Sequence, residues 1–254
     1  MLIYEIISVG HRAKPAVPPP EKINKGKTED KMNYKEITYK DIKKNEAINT
    51  YIKKADESLK AMGYTEHSYE HVTLVAEKAG YILETLGYDE RTVELVKIAG
   101  YLHDIGNLVN RDDHSQSGAI MAFRILTELG FPPEEIATIT TAIGNHDEKT
   151  GQPVNDVAAA LIIADKSDVR RGRVRNTDSS TFDIHDRVNY SVKKAELKIN
   201  EAHTIIKLKL SVDTKFGSVM DYFEIFLERM QLCKKTAKTL GLDFKLMINE
   251  TQLM

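Results

Sequence analysis

Apolar residues recur at the spacing of an α-helix over the middle of the chain, and this periodicity constrains the fold more than any other feature. One series over Val72–Leu86 places apolar residues at intervals of three and four, which gives a helix one continuous apolar face. Glycine follows this series and two others, at Gly87, Gly106 and Gly130, and glycine commonly ends helices. Five or more helices joined by short loops are therefore predicted between residues 39 and 174.

The pattern changes after residue 185. Ala195–Ile199 and Ile206–Val212 alternate apolar and polar residues, and Glu201–His203 lies between them, which predicts a β-hairpin. Val219–Leu240 is amphipathic at helical spacing, and Phe244–Ile248 is typical of a last strand. The predicted fold is thus mainly α, a helical bundle followed by a small C-terminal α+β unit of ββαβ order.

Three segments are predicted along the chain. Residues 1–33 form a flexible N-terminal extension, because a proline cluster and a charged stretch bury little apolar surface. Residues 34–185 form the helical domain, and residues 186–254 form the small α+β domain. Two interpretations of the extension stay open: Met32 is the natural start, or the extension is a genuine tail.

Composition excludes several classes of protein. The 36 basic and 38 acidic residues give a net charge of −2, so there is no strong nucleic-acid signal. The single cysteine, Cys233, excludes an intrachain disulfide and a cysteine-rich zinc module. No apolar run approaches the ~20 residues of a membrane span, and Met1–Val9 lacks the shape of a signal peptide. A cytoplasmic location without membrane contact is expected.

Histidine and aspartate residues occur where metal ligands would lie. His103 and Asp104 are adjacent near a predicted helix end, His71 lies at the edge of an earlier apolar stripe, and His146 follows a later helix. Asp165 lies inside an otherwise apolar helix. A buried carboxylate requires a compensating charge, and a metal ion supplies one.

In this order and in these helical contexts, the residues resemble the HD superfamily of metal-dependent phosphohydrolases over roughly residues 60–175. The family pattern is a histidine on a helix, then His-Asp, then a distant aspartate. Members with two metals carry further histidines between, and the segment from His114 to Ala119 resembles the His-x-x-x-Gly segment of the HD-GYP branch. The ligand set that the resemblance implies is His71, His103, Asp104, His114, His146 and Asp165.

The sequence departs from the HD-GYP branch at three places. Asn107 stands where that branch has lysine, Asn145 replaces the first residue of a double histidine, and the Gly-Tyr-Pro motif is absent. Hydrolysis of cyclic di-GMP is therefore not implied.

The ligand types suit a divalent transition metal: Mn²⁺, Fe²⁺, Co²⁺, Ni²⁺ or Zn²⁺. Two ions are expected, the first on His71, His103, Asp104 and Asp165, and the second on His114 and His146 with Asp104 shared. Asp104 and His103 are the predicted catalytic residues. A bound metal lowers the pKa of water toward neutrality, which predicts direct attack of hydroxide on phosphorus.

A basic segment follows the last predicted ligand, with five lysine and arginine residues among the ten from residue 166. Guanidinium groups bind phosphate oxygens in pairs, so Lys166, Arg170 and Arg173 are predicted to bind a substrate phosphate. Asp168 and His67 complete the predicted substrate-binding set. The alternative is a solvated helix end whose cations complement the helix dipole.

The resulting hypothesis is hydrolysis of a phosphate ester or anhydride, with a nucleotide as the expected small-molecule partner. Two alternatives stay open: a di-iron oxygenase, which the HD-like fold also hosts, and a non-catalytic nucleotide-binding regulatory module. The helical segment Met220–Leu227 has more apolar surface than one small sheet covers. It is expected to pack on the helical domain or to form a homodimer through the C-terminal domain.

Overall fold

Helices make up most of residues 36–254, the part of the chain that the computed structural model describes. The predicted extension and the choice of Met32 as start lie outside this part. The helices are α1 Tyr39–Lys44, α2 Glu46–Ala61, α3 Tyr69–Thr85, α4 Glu90–Leu102, α5 His114–Leu129, α6 Pro133–Gly144, α7 Asp156–Lys166, α8 Ile184–Ser191 and α9 Val219–Thr239. Short 3₁₀ turns cover Ile105–Leu108, Arg171–Arg173 and Ser179–Thr181. The prediction of a mainly helical protein with a small C-terminal sheet is confirmed.

Helix α7 lies at the centre of the helical part. Every residue from 157 to 166 is buried, because the helix is apolar on almost all sides and neighbours cover it from α3, α4, α6 and α9. The Asn155 side chain caps its first turn by accepting the Ala158 amide. The last two residues of α7, Asp165 and Lys166, are thereby held inside the protein.

Helices α3 and α4 approach each other closely. A Cβ at Gly100 on α4 would lie 2.7 Å from the Cα of Ala76 on α3, so a larger residue would force the two backbones apart. This close approach matters for the site, because His71 lies on α3 and His103 directly follows α4.

The C-terminal sheet contains β1 Val192–Ile199, β2 Ile205–Val212, β3 Asp243–Ile248 and β4 Thr251–Gln252, in that spatial order. β1 pairs antiparallel with β2, and α9 connects β2 to the parallel strand β3. β4 pairs antiparallel with β3. The sheet therefore has one strand more than the predicted ββαβ order, because the chain turns at Asn249 and Glu250, both at positive φ.

Helix α9 packs between the sheet and α7. Its buried side chains, Tyr222, Phe226, Met230 and Cys233, belong to the same apolar cluster as the core of the helical part. The expectation that this helix packs on the helical domain is met. The domain boundary at residue 185 and the homodimer stay predictions. None of the helices within residues 36–254 is long and apolar enough to cross a membrane.

Candidate active site

The predicted metal ligands come together from five helices. His71 lies on α3, His103 is the first residue after α4, and His146 follows α6 by two residues. Asp165 lies near the end of α7. His114 is the first residue of α5, and it is buried.

One half of this cluster forms around His71. The Nε2 atom of His71 lies 3.3 Å from Nε2 of His103, 3.4 Å from Oδ2 of Asp104 and 3.4 Å from Oδ1 of Asp165. Nε2 of His103 lies 3.4 Å from the same Oδ2 atom of Asp104. Two imidazole nitrogens and two carboxylate oxygens thus face one point.

The other half forms around His114, whose Nε2 atom lies 3.2 Å from Nε2 of His146 and 3.5 Å from Oδ1 of Asp104. Asp104 therefore presents one oxygen to each half. This is the arrangement that the shared role of Asp104 requires.

All four histidines use Nδ1 for a contact within the protein. His103, His114 and His146 each bond the backbone carbonyl oxygen three residues earlier, at 2.6 to 3.0 Å. His71 Nδ1 lies 2.7 Å from Oδ2 of Asp168. Because a carbonyl or carboxylate oxygen only accepts, each Nδ1 carries the proton, and each neutral ring keeps a lone pair on Nε2.

The convergence of these Nε2 atoms fits a cation. Two ligand atoms that bind the same ion at ~2.1 Å lie ~3.0–3.4 Å apart at octahedral or tetrahedral angles, and the paired Nε2 atoms are 3.3 and 3.2 Å apart. Oδ2 of Asp104 is buried without a hydrogen-bond partner. A carboxylate oxygen that is buried next to the lone pairs of histidine Nε2 atoms is unfavourable unless a positive charge lies between the oxygen and those nitrogens.

The pKa values of the cluster also indicate that a positive charge is favoured there. Burial and the Arg173 charge act to lower the pKa of His71, but the neighbouring carboxylates of Asp104, Asp165 and Asp168 outweigh them and raise it to about 10. Burial opposes ionisation of Asp104, yet the neighbouring histidines hold its pKa well below its usual range. Without a metal, His71 therefore stays in its charged form near neutral pH, with a proton on both ring nitrogens.

Two residues just after the His-Asp pair hold it in place. A Cβ at Gly106 would lie 2.0 Å from the backbone oxygen of His114, so glycine lets the 3₁₀ turn contact α5 and brings His114 toward Asp104. The amide of Asn107 donates to Oδ1 of Asp104 at 2.9 Å. The sequence marked Asn107 only as a departure from a related branch, and its contact with Asp104 was not predicted.

A cleft of about 780 Å³ borders the cluster. The imidazole of His67, which lines it, lies 5.4 Å from that of His71 between ring centres. Arg173 also lines the cleft, whereas Lys166, Arg170 and Asp168 do not. Its other charged lining residues are Arg111, Asp112, Asp113, Asp147, Glu148, Lys149, Asp183, His185, Asp186 and Arg229.

The structure places Lys166 between two carboxylates. Its Nζ atom lies 2.7 Å from Oδ2 of Asp165 and 2.7 Å from Oε2 of Glu148, and the residue is 5% exposed. Arg229 on α9 donates Nε and Nη2 to Oε1 of Glu148, both at 3.1 Å. Sequence reasoning missed Glu148 and Arg229, because 81 residues separate them along the chain.

The rest of the basic segment is also engaged by the protein. Helix α7 ends at Lys166, so Arg170 and Arg173 lie beyond the helix. Arg170 pairs with Glu66 and Asp168 at 2.8 and 3.1 Å. Arg173, buried, donates to the backbone oxygens of Glu66 and Asp168, both at 3.0 Å. The structure makes Asp168 a partner of His71 and Arg170 outside the cleft.

Comparison with known proteins gives one family. Residues 68–170 match the family model described as HD domain. A protein of Methanocaldococcus jannaschii, Uncharacterized protein MJ1020, is 28% identical over 185 residues, which cover 64% of this chain and 71% of that protein. The crystal structure of a predicted HD superfamily hydrolase from an uncultured Thermotogales bacterium has 25% identity and a TM-score of 0.39. It covers 49% of this chain and 67% of that one.

Proposed function

Because the chain is an HD-domain protein, with that domain at residues 68–170, we propose that it is a metal-dependent phosphohydrolase that cleaves a phosphate ester or anhydride. The observation that carries the proposal is the convergence of four histidine Nε2 atoms on the two oxygens of Asp104, beside a cleft with basic residues. A divalent metal there supplies a Lewis acid for phosphate oxygens and lowers the pKa of water.

The protein's own residues set up this chemistry. His71, His103, Asp104 and Asp165 would hold one ion, and His114 and His146 would share Asp104 for a second. Asp168 fixes the ring of His71 through Nδ1, and Asn107 fixes Asp104. Such contacts keep ligands in one orientation and one tautomer.

The cleft supports a nucleotide as substrate. Its volume of about 780 Å³ lies within the usual range for small-molecule sites. Tyr64, whose side chain is exposed, lines it, and aromatic rings stack on nucleobases. His67 and Arg173 remain our candidates for contact with the substrate, since both line the same cleft.

A screen for phosphate release tests the function. The purified chain is freed of metal with a chelator, reloaded with Mn²⁺, Fe²⁺, Co²⁺, Ni²⁺ or Zn²⁺, and incubated with nucleotides and simple phosphate esters. We expect release that depends on metal and is lost in Asp104→Asn. Oxygen consumption with iron and no phosphate release would indicate the oxygenase instead, and nucleotide binding without any turnover would indicate the regulatory module.

Hydrolysis in ¹⁸O-labelled water tests the direction of attack. Neither a serine nor a cysteine is expected to form a phosphoenzyme; the lone Cys233 is buried, which raises the pKa of its thiol to about 12. We expect the label in the phosphate product. Label found only in the alcohol product, or a trapped phosphorylated residue, would contradict direct attack on phosphorus.

A further inference from the structure

Arg111 differs from the other arginines of the cleft because its guanidinium group forms fewer hydrogen bonds and ion pairs with the protein. It lies in the loop between the 3₁₀ turn Ile105–Leu108 and α5. Its Nη1 atom donates to Oδ1 of Asn107 at 3.3 Å, and the guanidinium lies 5.8 Å from the ring centre of Tyr64. Within residues 36–254 it forms no ion pair, although Asp112 and Asp113 are its sequence neighbours.

The other two arginines in the cleft lining are engaged. Arg173 gives Nε and Nη1 to backbone oxygens, and Arg229 gives Nε and Nη2 to Glu148. Arg111 keeps Nε and Nη2 available. A guanidinium binds a phosphate through two adjacent N–H groups, so Arg111 alone among these three retains that edge.

Arg111 also lies next to the metal-ligand cluster. Its partner Asn107 donates to Oδ1 of Asp104 at 2.9 Å, so one side chain separates the guanidinium from the shared carboxylate. His67 lines the same cleft as Arg111, and its ring centre lies 5.4 Å from that of His71. A phosphate placed against the metal ligands would therefore lie within reach of the Arg111 loop.

We propose that Arg111 is a phosphate-binding residue of the substrate cleft, with Asn107 and Tyr64 positioning its guanidinium. The ligand class is a phosphate monoester, a phosphoanhydride or inorganic phosphate, whose non-bridging oxygens accept from Nε and Nη2. The inference rests on the proposed function, because that function places a phosphate beside Asp104. It moves the main phosphate contact from the basic segment after Asp165 to the loop that closely follows the His-Asp pair in sequence.

The test compares Arg111→Gln and Arg111→Lys with a matched control, Arg124→Gln. Arg124 is an exposed arginine on α5 that pairs with Glu128 one helical turn away. For each metal-loaded full-length protein, calorimetry gives the dissociation constant for inorganic phosphate at fixed ionic strength, with metal content and melting temperature measured alongside. Charged hydrogen bonds are worth about 1.5–3 kcal/mol, so Arg111→Gln should weaken phosphate binding about 10- to 150-fold.

We expect Arg111→Lys to weaken binding less than Arg111→Gln, because it keeps the charge and loses the paired N–H groups. Arg124→Gln should match the wild type, and metal content should be unchanged in all variants. Phosphate binding within twofold of the wild type in both Arg111 variants, or no phosphate binding by the wild type, would overturn the inference. If the wild type binds phosphate through Arg111 but releases none from any substrate, the inference stands and the proposed function fails.

Discussion

The histidine–aspartate cluster and the basic segment from Lys166 to Arg173 are neighbours in the fold, yet they differ in what their side chains leave free. In the cluster, Nδ1 of each histidine is hydrogen-bonded within the protein, and Nε2 points to the centre of the cluster with its lone pair available. In the basic segment, Lys166, Arg170 and Arg173 all contact protein oxygens. The comparison teaches that uncommitted lone pairs and N–H groups, more than local charge, indicate where a ligand binds.

Lys166→Met tests this difference with the largest expected effect. The substitution leaves Asp165 and Glu148 without the cation between them, and removing one member of a buried ion pair costs about 3–5 kcal/mol. Urea unfolding of the metal-free protein measures the loss. The control Lys149→Met removes an exposed lysine of the cleft, and it should change stability by less than about 0.5 kcal/mol. Unchanged stability with a raised KM would restore Lys166 as a phosphate ligand.

Arg173→Met should have a smaller effect of the same kind. It leaves the backbone oxygens of Glu66 and Asp168 without their donors, and a buried unsatisfied acceptor costs about 1–3 kcal/mol. The free energy of unfolding should fall by about that amount. A variant as stable as the wild type, with impaired substrate binding only, would show that Arg173 acts mainly on the ligand.

The pH dependence of the metal-free protein gives a third test. The pKa of His71 is raised from 6.5 to about 10 in the folded state, so its protonated form stabilises the fold. That contribution is complete below pH 6.5 and is lost as the pH rises toward about 10. The melting temperature with chelator present should therefore fall over this window, and His71→Gln should show a flatter profile. Equal slopes in the two proteins would contradict the raised pKa.

Much of the fold follows from the sequence. Helices α3 and α5 end where Gly87 and Gly130, both at positive φ, follow an apolar series. Helix α4 differs from the prediction: it ends at Leu102, and Gly106 lies in the 3₁₀ turn that follows. The short strand β4 was not predicted, since the turn before it is Asn249-Glu250 and lacks the glycine that usually marks a two-residue hairpin turn.

Some residues of the site could likewise be predicted from the sequence and others could not. His71, His103 and Asp165 could be placed together because each stands out from an apolar helical pattern. The engagement of Lys166 by Glu148 could not, because Glu148 comes from the loop after α6 and nothing local distinguishes a paired lysine from a free one. Arg111 was missed for the converse reason: its availability is visible only once its neighbours are known.

The central claim is that Asp104 joins the two halves of a metal centre. Wild type, Asp104→Ala and the control Asp112→Ala, which removes an exposed carboxylate of the same cleft, are stripped and equilibrated with the same metal, dialysed and analysed for bound ion. We predict transition metal in the wild type and in Asp112→Ala, and its loss from Asp104→Ala, because no other residue within 36–254 presents an oxygen to both halves. Equal metal content in wild type and Asp104→Ala would contradict the account.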